Sequence, residues 1–446
     1  MTHSTPAILR DLGDGLIMRR STPGDADALA EFNKMIHRDQ DVVEPDETVA
    51  AWTRDLLTRN HPTFGAGDFT FVEDTKTGKI VSSLNTISQT WSYGGIPFGV
   101  GRPELVGTDP EYRRRGLVRA QFDAIHAWSA ERGELVQAIT GIPYYYRQFG
   151  YEMALVLGGG RVGLLSATPK LKEGEVEPYR VRPATEGDLP FIVALDAAAN
   201  QRWLIACERD EALWRYELSG KSETNCNRMV WDIIESTAGE PVGLIGHYWK
   251  LLGTKLPMTY FEVKAGVSWL AVVPSAFRQL QAAAQAYAQR DGKTAEALEC
   301  WFAAEHPFFA AAQDRLPQIR RPYAWYLRVA DLPGFFRHVA PVLEERLARS
   351  IAIGHTGELK LSFYRSGVRL AFEAGRLTAV EPWLPTHDDG GSAAFPGLSF
   401  LQLLFGYRSL EELRGAFPDC WADGDTPRAL LGILFPKQPS DFWPVA

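Results

Sequence analysis

The run Arg113-Arg114-Arg115-Gly116-Leu117-Val118-Arg119 has the residue types to hold an anion. It follows the apolar pair Leu105-Val106 and a Thr108-Asp109-Pro110 turn, and it opens a helix. Leu117, Gln121, Ala124, Ile125 and Trp128 recur at helical spacing, and Gly133 supplies a stop. The first turn of a helix has unpaired N–H donors and the positive end of its dipole. Arginines clustered there are unfavourable unless an anion sits among them. A diphosphate meets that need. Main-chain N–H groups grip its oxygens, Gly116 admits it without a Cβ in the way, and the guanidinium groups add charge-assisted bonds. The loop is not of the Walker type, since no Gly-Lys-Ser/Thr follows, and one glycine is too few for a dinucleotide fingerprint.

The chain of 446 residues is too long for one ordinary core, so two to four domains are expected. Apolar residues make up 45% and charged residues 23%, the balance of a soluble globular protein. A net charge of -8 argues against a dedicated nucleic-acid binder. Cys207, Cys226, Cys300 and Cys420 are widely spaced, so neither a metal site nor a disulfide framework is expected, and a cytoplasmic setting is. No stretch has the length and apolarity of a membrane span, and the first residues lack the parts of a signal peptide.

An internal echo suggests the plan. Arg19 begins Arg-Arg-Ser-Thr-Pro-Gly-Asp and Arg182 begins Arg-Pro-Ala-Thr-Glu-Gly-Asp, each between a strand-like run and an amphipathic helix. A second match sets Gly107 to Pro110 against Ala271 to Pro274, at nearly the same offset, as in a duplicated domain. Aligned on these prolines, Gly116 falls opposite Leu280, and Arg113 and Arg115 opposite Phe277 and Gln279, so the second copy is expected to be a scaffold. Lys170 to Pro178 reads as a linker. The expected domains are 1–165, 178–330 and 331–446. In the last, Leu343 to Ile351 reads as a connecting helix. Leu359-Leu361-Phe363 and Val368-Leu370-Phe372 read as a hairpin about Arg365-Ser366-Gly367, and Leu398 to Leu413 and Pro427 to Leu434 as helices.

The segment Pro110 to Arg119 resembles the acetyl-CoA loop of GCN5-related N-acetyltransferases (GNAT), with Val118 at a position that is usually small. Its Arg-Arg-Arg-Gly-x-x-Arg form is similar to the "enhanced intracellular survival" (Eis) branch. Tyr146-Arg147-Gln148-Phe149-Gly150-Tyr151 is similar to that branch's Tyr-Gly-Arg-Phe-Gly-Tyr. The resemblance covers nearly the whole chain. It implies an α/β fold of two tandem GNAT-type mixed-sheet domains, the second degenerate, with a sterol-carrier-like α+β domain at the C-terminus.

By that resemblance, Val106, Gly107 and Thr108 would pair with the pantetheine arm of acetyl-CoA. Arg114, Arg115, Gly116, Leu117, Val118 and Arg119 would hold its diphosphate, and Gly141 and Ile142, on the next strand, would line the other side. The chemistry needs two proton managers, because an amine attacks the thioester and CoA leaves as a thiolate. Tyr146 matches the family's acid, with Tyr144 and Tyr145 as neighbouring alternatives. A main-chain N–H near Val106 to Thr108 would serve the oxyanion. The base implied is the chain's own terminal carboxylate, on Ala446, and the apolar end Phe442-Trp443-Pro444-Val445-Ala446 suits a docked tail. A homohexamer is implied by resemblance alone.

Asp39 to Glu47 holds five carboxylates where this fold borders its acceptor, which would suit a cationic amine such as a polyamine, an aminoglycoside or a lysine-bearing peptide. His37 reads as a surface residue and His126 as a helix-packing one. The alternative class is a lipid- or acyl-CoA-binding carrier or sensor. Phe395 to Phe405 would then line a tunnel, although a small domain needs those side chains for its own core.

Overall fold

The structure is a computed structural model that describes residues 8–38, 44–441 and 443. It is a mixed α/β protein on three sheets, of nine, seven and five strands among the described residues. The first sheet runs, in spatial order, Ile8–Gly13, Leu16–Arg20, Phe69–Asp74, Lys79–Tyr93, Ile96–Thr108, Val136–Ile139, Tyr323–Val329 and Glu152–Leu157. Ile205–Glu208 extends it by pairing with the end of Lys79–Tyr93. Its neighbours are antiparallel except Ile96–Thr108 and Val136–Ile139, which run parallel and are joined by the helix Leu117–Glu131. That helix buries Leu117, Gln121, Phe122, Ile125 and Trp128 on one face. Each large apolar side chain so buried contributes roughly 1.5–3 kcal/mol. Gly133, at φ 70°, follows its end, as the spacing predicts.

The Arg19 and Arg182 echo is structural. Arg19 pairs with Asp25 at 2.9 Å and Glu73 at 3.0 Å; Arg182 pairs with Asp188 at 2.7 Å and Glu235 at 2.6 Å. In both, the aspartate also caps a short turn that leads into a helix, Ala26–Ile36 or Leu189–Asn200. The second match is corrected. Pro274 lies inside the helix Trp269–Asp291, and Phe277 and Leu280 are mid-helix core residues, so neither stands at a helix start opposite Gly116.

The two larger sheets exchange strands. Gly160–Leu164 leaves the first unit to pair with Ala297–Cys300 and Gln318–Arg320 in the second sheet. Tyr323–Val329 returns to lie between Val136–Ile139 and Glu152–Leu157 of the first. The sheets are therefore not divided at residues 165 and 330. Lys170 to Pro178 contains no helix or strand.

In the third unit the hairpin pairs Leu359 with Leu370 and Leu361 with Val368, and Arg376–Trp383 adds a third strand. The connecting helix is longer than its apolar pattern, Leu332–Ala348, because Asp331 caps it and Pro333 fits its first turn. Leu398 to Leu413 is not one helix but two, Phe400–Leu404 and Leu410–Ala416, parted at Gly406 with φ 68°. Phe395, Phe400, Leu404 and Phe405 are buried in a core shared with Tyr93, Phe98 and Phe335 of the neighbouring elements. That run contributes to a core, the reading a small domain favours. No helix among the described residues is long and apolar enough to cross a membrane.

Candidate active site

Ile96–Thr108 is interrupted near its end. Leu105 has φ 51°, and the register with Lys79–Tyr93 skips between Ser83↔Gly107 and Asn85↔Glu104. The bulge bends the strand. Its parallel pairing with Val136–Ile139 is confined to Val100↔Val136 and Gly101↔Gln137, and past that point the strands part. The gap continues into a cleft of about 970 Å³. Val106, Gly107 and Thr108 form one wall, and Gly141, Ile142 and Tyr146 stand on the other. The Ser82 hydroxyl holds the first wall by donating to the Gly107 carbonyl at 2.9 Å.

The basic loop closes one end. Arg114 (φ 65°) and Gly116 (φ 77°) are both left-handed, and Gly116 is the N-cap of Leu117–Glu131. The first intrahelical bond runs from the Ala120 N–H to the Gly116 carbonyl at 3.0 Å, so the N–H groups of Leu117, Val118 and Arg119 have no helical acceptor. Arg114, Arg115 and Arg119 line the same end. Arg119 donates to Gln148 at 3.0 Å, and Arg115 lies 5.0 Å from the Tyr112 ring, whose hydroxyl donates to Asp74 at 2.7 Å. The donors, curvature and charge fit a CoA diphosphate.

Every sequence-predicted cofactor residue lines this cleft, and so does Tyr146. One placement is corrected: Val136–Ile139 ends before Gly141 and Ile142, which lie in the following irregular segment with Gly141 at φ 122°. Tyr146 begins a short 3-10 turn, Tyr146–Phe149, and is 3% exposed. Burial, reinforced by the nearby Glu104 charge, pushes its pKa well above the ordinary tyrosine value. Of its neighbours, Tyr145 shares the cleft, whereas Tyr144 is exposed and accepts a hydrogen bond from Arg147 at 2.9 Å. Ala446 lies outside the described residues. Trp443, three positions earlier, has its carbonyl bonded by Arg209 and its ring against Trp231, Arg209 and Lys221.

Two residues of the cleft were not expected. Glu104, just before the bulge, is the one carboxylate among the described residues that line it. Arg102 pairs with it at 2.5 Å, yet burial still raises its pKa above the ordinary carboxylate range. His37 is half-buried and not fully exposed. It lines the cleft at the end of Ala26–Ile36, and its buried Nε2 has no hydrogen-bond partner of ordinary geometry among the described residues. Burial lowers its pKa to about 4, partly offset by a Leu105 main-chain contact and the Asp46 charge, so the ring is neutral at neutral pH. His126 packs on the helix face as expected, sharing a 2.8 Å hydrogen bond with the Tyr151 hydroxyl. Of the acidic stretch, residues 39–43 lie outside the described residues; Asp46 caps the helix Glu47–Thr58 and Glu47 pairs with Lys34 at 3.0 Å.

Residues 19–154 match the profile of the acetyltransferase (GNAT) domain family. No curated protein matches the chain at a significant level. Among solved structures, the chain is similar to a conserved protein of unknown function from Enterococcus faecalis V583, described as a probable N-acyltransferase, at 13% identity and a TM-score of 0.68 over 97% of this chain and 100% of that one. It is also similar to a GCN5-related N-acetyltransferase from Kribbella flavida, at 17% identity and a TM-score of 0.64 over 96% and 97%. Eis1 from Mycobacterium abscessus aligns at 14% identity and a TM-score of 0.59 over 95% and 98%. At such identities these likenesses speak to the fold. The family match adds the chemistry: residues 19–154 are an acetyltransferase (GNAT) domain, and its reaction class is acyl-CoA-dependent N-acetyl transfer.

Proposed function

We propose that the protein transfers an acetyl group from acetyl-CoA to a primary amine on a cationic acceptor, an aminoglycoside- or polyamine-like molecule or a lysine side chain. The observation that carries this reading is one continuous cleft with a diphosphate-ready helix start at one end and Tyr146 and Glu104 beside the strand bulge at the other. The main-chain N–H groups of Leu117 to Arg119 bind the diphosphate. Val106 to Thr108 offer strand-edge groups to the pantetheine arm, and a main-chain N–H at the bulge stabilises the oxyanion. The thioester carbonyl then lies near Glu104 and Tyr146.

The attacking amine must lose a proton. The terminal carboxylate of Ala446 is one acceptor in this proposal, supported by the grip of Arg209 on the tail at Trp443. Glu104 is the second, supported by its place in the cleft and a raised pKa that makes it a stronger base than an ordinary carboxylate. Two variants separate them. If the tail accepts the proton, deleting Val445-Ala446 lowers kcat by about 10²-fold or more while Glu104→Gln keeps most of it. If Glu104 does, the outcomes reverse. Wild-type kcat/KM then falls on the acid side, as pH drops through the raised pKa, and Glu104→Gln loses that limb.

The same proposal includes a homo-oligomer, a cytoplasmic setting and a sterol-carrier-like third unit. The experiment that tests the function is a turnover screen with acetyl-CoA across polyamines, aminoglycosides and lysine peptides, reading free thiol. Amine-dependent thiol release is expected with at least one class, and none with any class would overturn the proposal.

A further inference from the structure

We infer that Tyr326, on the exchanged strand Tyr323–Val329, is a positioning residue for Tyr146, so that a strand from beyond the second sheet completes the active site. The inference rests on the catalytic reading of Tyr146.

The chain leaves the first sheet after Ile139 and must turn sharply to bring Tyr146 back to the cleft. It does so through two left-handed residues, Gly141 at φ 122° and Tyr144 at φ 62°. Tyrosine pays for that conformation with about 1–2 kcal/mol, and such strain persists only where the surroundings over-determine it. Nearby in sequence, the Tyr145 N–H donates to the Ile142 carbonyl at 3.3 Å, Gln148 donates to the Tyr145 carbonyl at 3.1 Å and Arg147 holds the Tyr144 hydroxyl at 2.9 Å, but none of these bonds the Tyr144 main chain.

Tyr326 supplies the rest. It is fully buried, and its hydroxyl accepts the Tyr144 N–H at 2.5 Å. The same hydroxyl lies 3.4 Å from the Ile142 carbonyl and 3.3 Å from the Tyr323 hydroxyl, so its one proton has an acceptor on either side. One side chain thus ties down the main chain on both sides of Pro143. Its ring also meets the Tyr146 ring edge-on, with centroids 5.4 Å apart. The pairing of Tyr323–Val329 with Glu152–Leu157 shifts register between Trp325 and Tyr326, a device that re-aims a side chain.

The effect reaches the reacting end through Gly141. A Cβ built on Gly141 would stand 3.3 Å from the Tyr146 hydroxyl, so the Gly141 main chain is the wall against which that hydroxyl is set. Releasing residues 142–144 moves the wall. The strand exchange therefore has a catalytic consequence: the cleft lies in the first unit, but the residue that fixes its geometry arrives some 180 positions later, with |i−j| of 182 between Tyr144 and Tyr326.

The test is a double-mutant cycle on the full chain with acetyl-CoA and an amine found by the turnover screen. Tyr326→Phe keeps the ring contact and removes the hydroxyl. It is expected to lower kcat about tenfold with KM for acetyl-CoA within about twofold, since small misplacements of a reacting group are costly. In a Tyr146→Phe background the same change should have under about a twofold effect, because residues that act as one are non-additive. Multiplying effects would overturn the inference and leave the catalytic reading intact. Full turnover in Tyr146→Phe would overturn both. Should Tyr326→Phe fold poorly, hydrogen exchange of the wild-type Tyr144 amide decides. Protection is expected, and exchange at the rate of an open loop would reject the tether.

Discussion

Replacing Gly116 by leucine is expected to abolish acetyl-CoA binding while leaving the fold in place. Gly116 is left-handed at φ 77°, a conformation that costs a leucine about 1–2 kcal/mol. A Cβ there would meet no heavy atom within 4 Å, so the folded protein has room for it. The room opens on the cleft, where the diphosphate must approach the N–H groups of Leu117 to Arg119. Relief of the strain would rotate those donors away, and the side chain would occupy the phosphate's place. Calorimetric titration with acetyl-CoA should show at least a ~100-fold loss of affinity, as when a cluster of charge-assisted bonds is broken together. The melting temperature should fall by no more than about 3 °C, in keeping with the backbone cost alone in a chain of this size. Unchanged affinity would place the diphosphate elsewhere, and the assignment of the whole cleft would go with it.

The helix start at Gly116 was readable from the sequence because it is local. A turn, a glycine and an amphipathic repeat within 30 residues specify a helix start, and the start brings its own donors and dipole. The Arg19 and Arg182 turns were readable for the same reason, since each arginine meets an aspartate six residues on. What escaped was non-local. Nothing near Gly160–Leu164 or Tyr323–Val329 says which sheet each will join, because alternating apolar residues suit either. Pro274 misled because a proline within a helix and one before it look alike when the flanking residues are apolar. Glu104 was hidden by the bulge. Strand alternation cannot assign its face once Leu105 takes φ 51° and the register skips. His37 looked like a helix end facing water, and it became a cleft residue because the bulged strand packs over it, with its Nε2 set 3.4 Å from a Cβ built on Gly107.

Tyr146→Phe is expected to lower kcat by about 10²-fold, the loss seen when one donor to a developing anion is removed. The direction of its pKa shift defines what the hydroxyl can do. Burial and the Glu104 charge raise it well above the ordinary tyrosine value, whereas a free thiol titrates near ~8.5. An acid that much weaker than the thiol cannot hand over its proton outright. It can donate a hydrogen bond to the sulfur as negative charge builds, and burial makes that bond stronger than it would be in water. The hydroxyl also stays protonated across the working range, so Tyr146 should contribute no basic limb to the pH profile between about 6 and 9. Phenylalanine keeps the ring contacts with Phe122, Tyr145 and Tyr326. Affinity for acetyl-CoA should therefore change by less than about threefold, as expected for an interaction made only in the transition state. A parallel loss of affinity and turnover would make Tyr146 a wall of the cleft instead of a donor to the leaving group, and the thiolate would then need another partner among Tyr145, His37 and water.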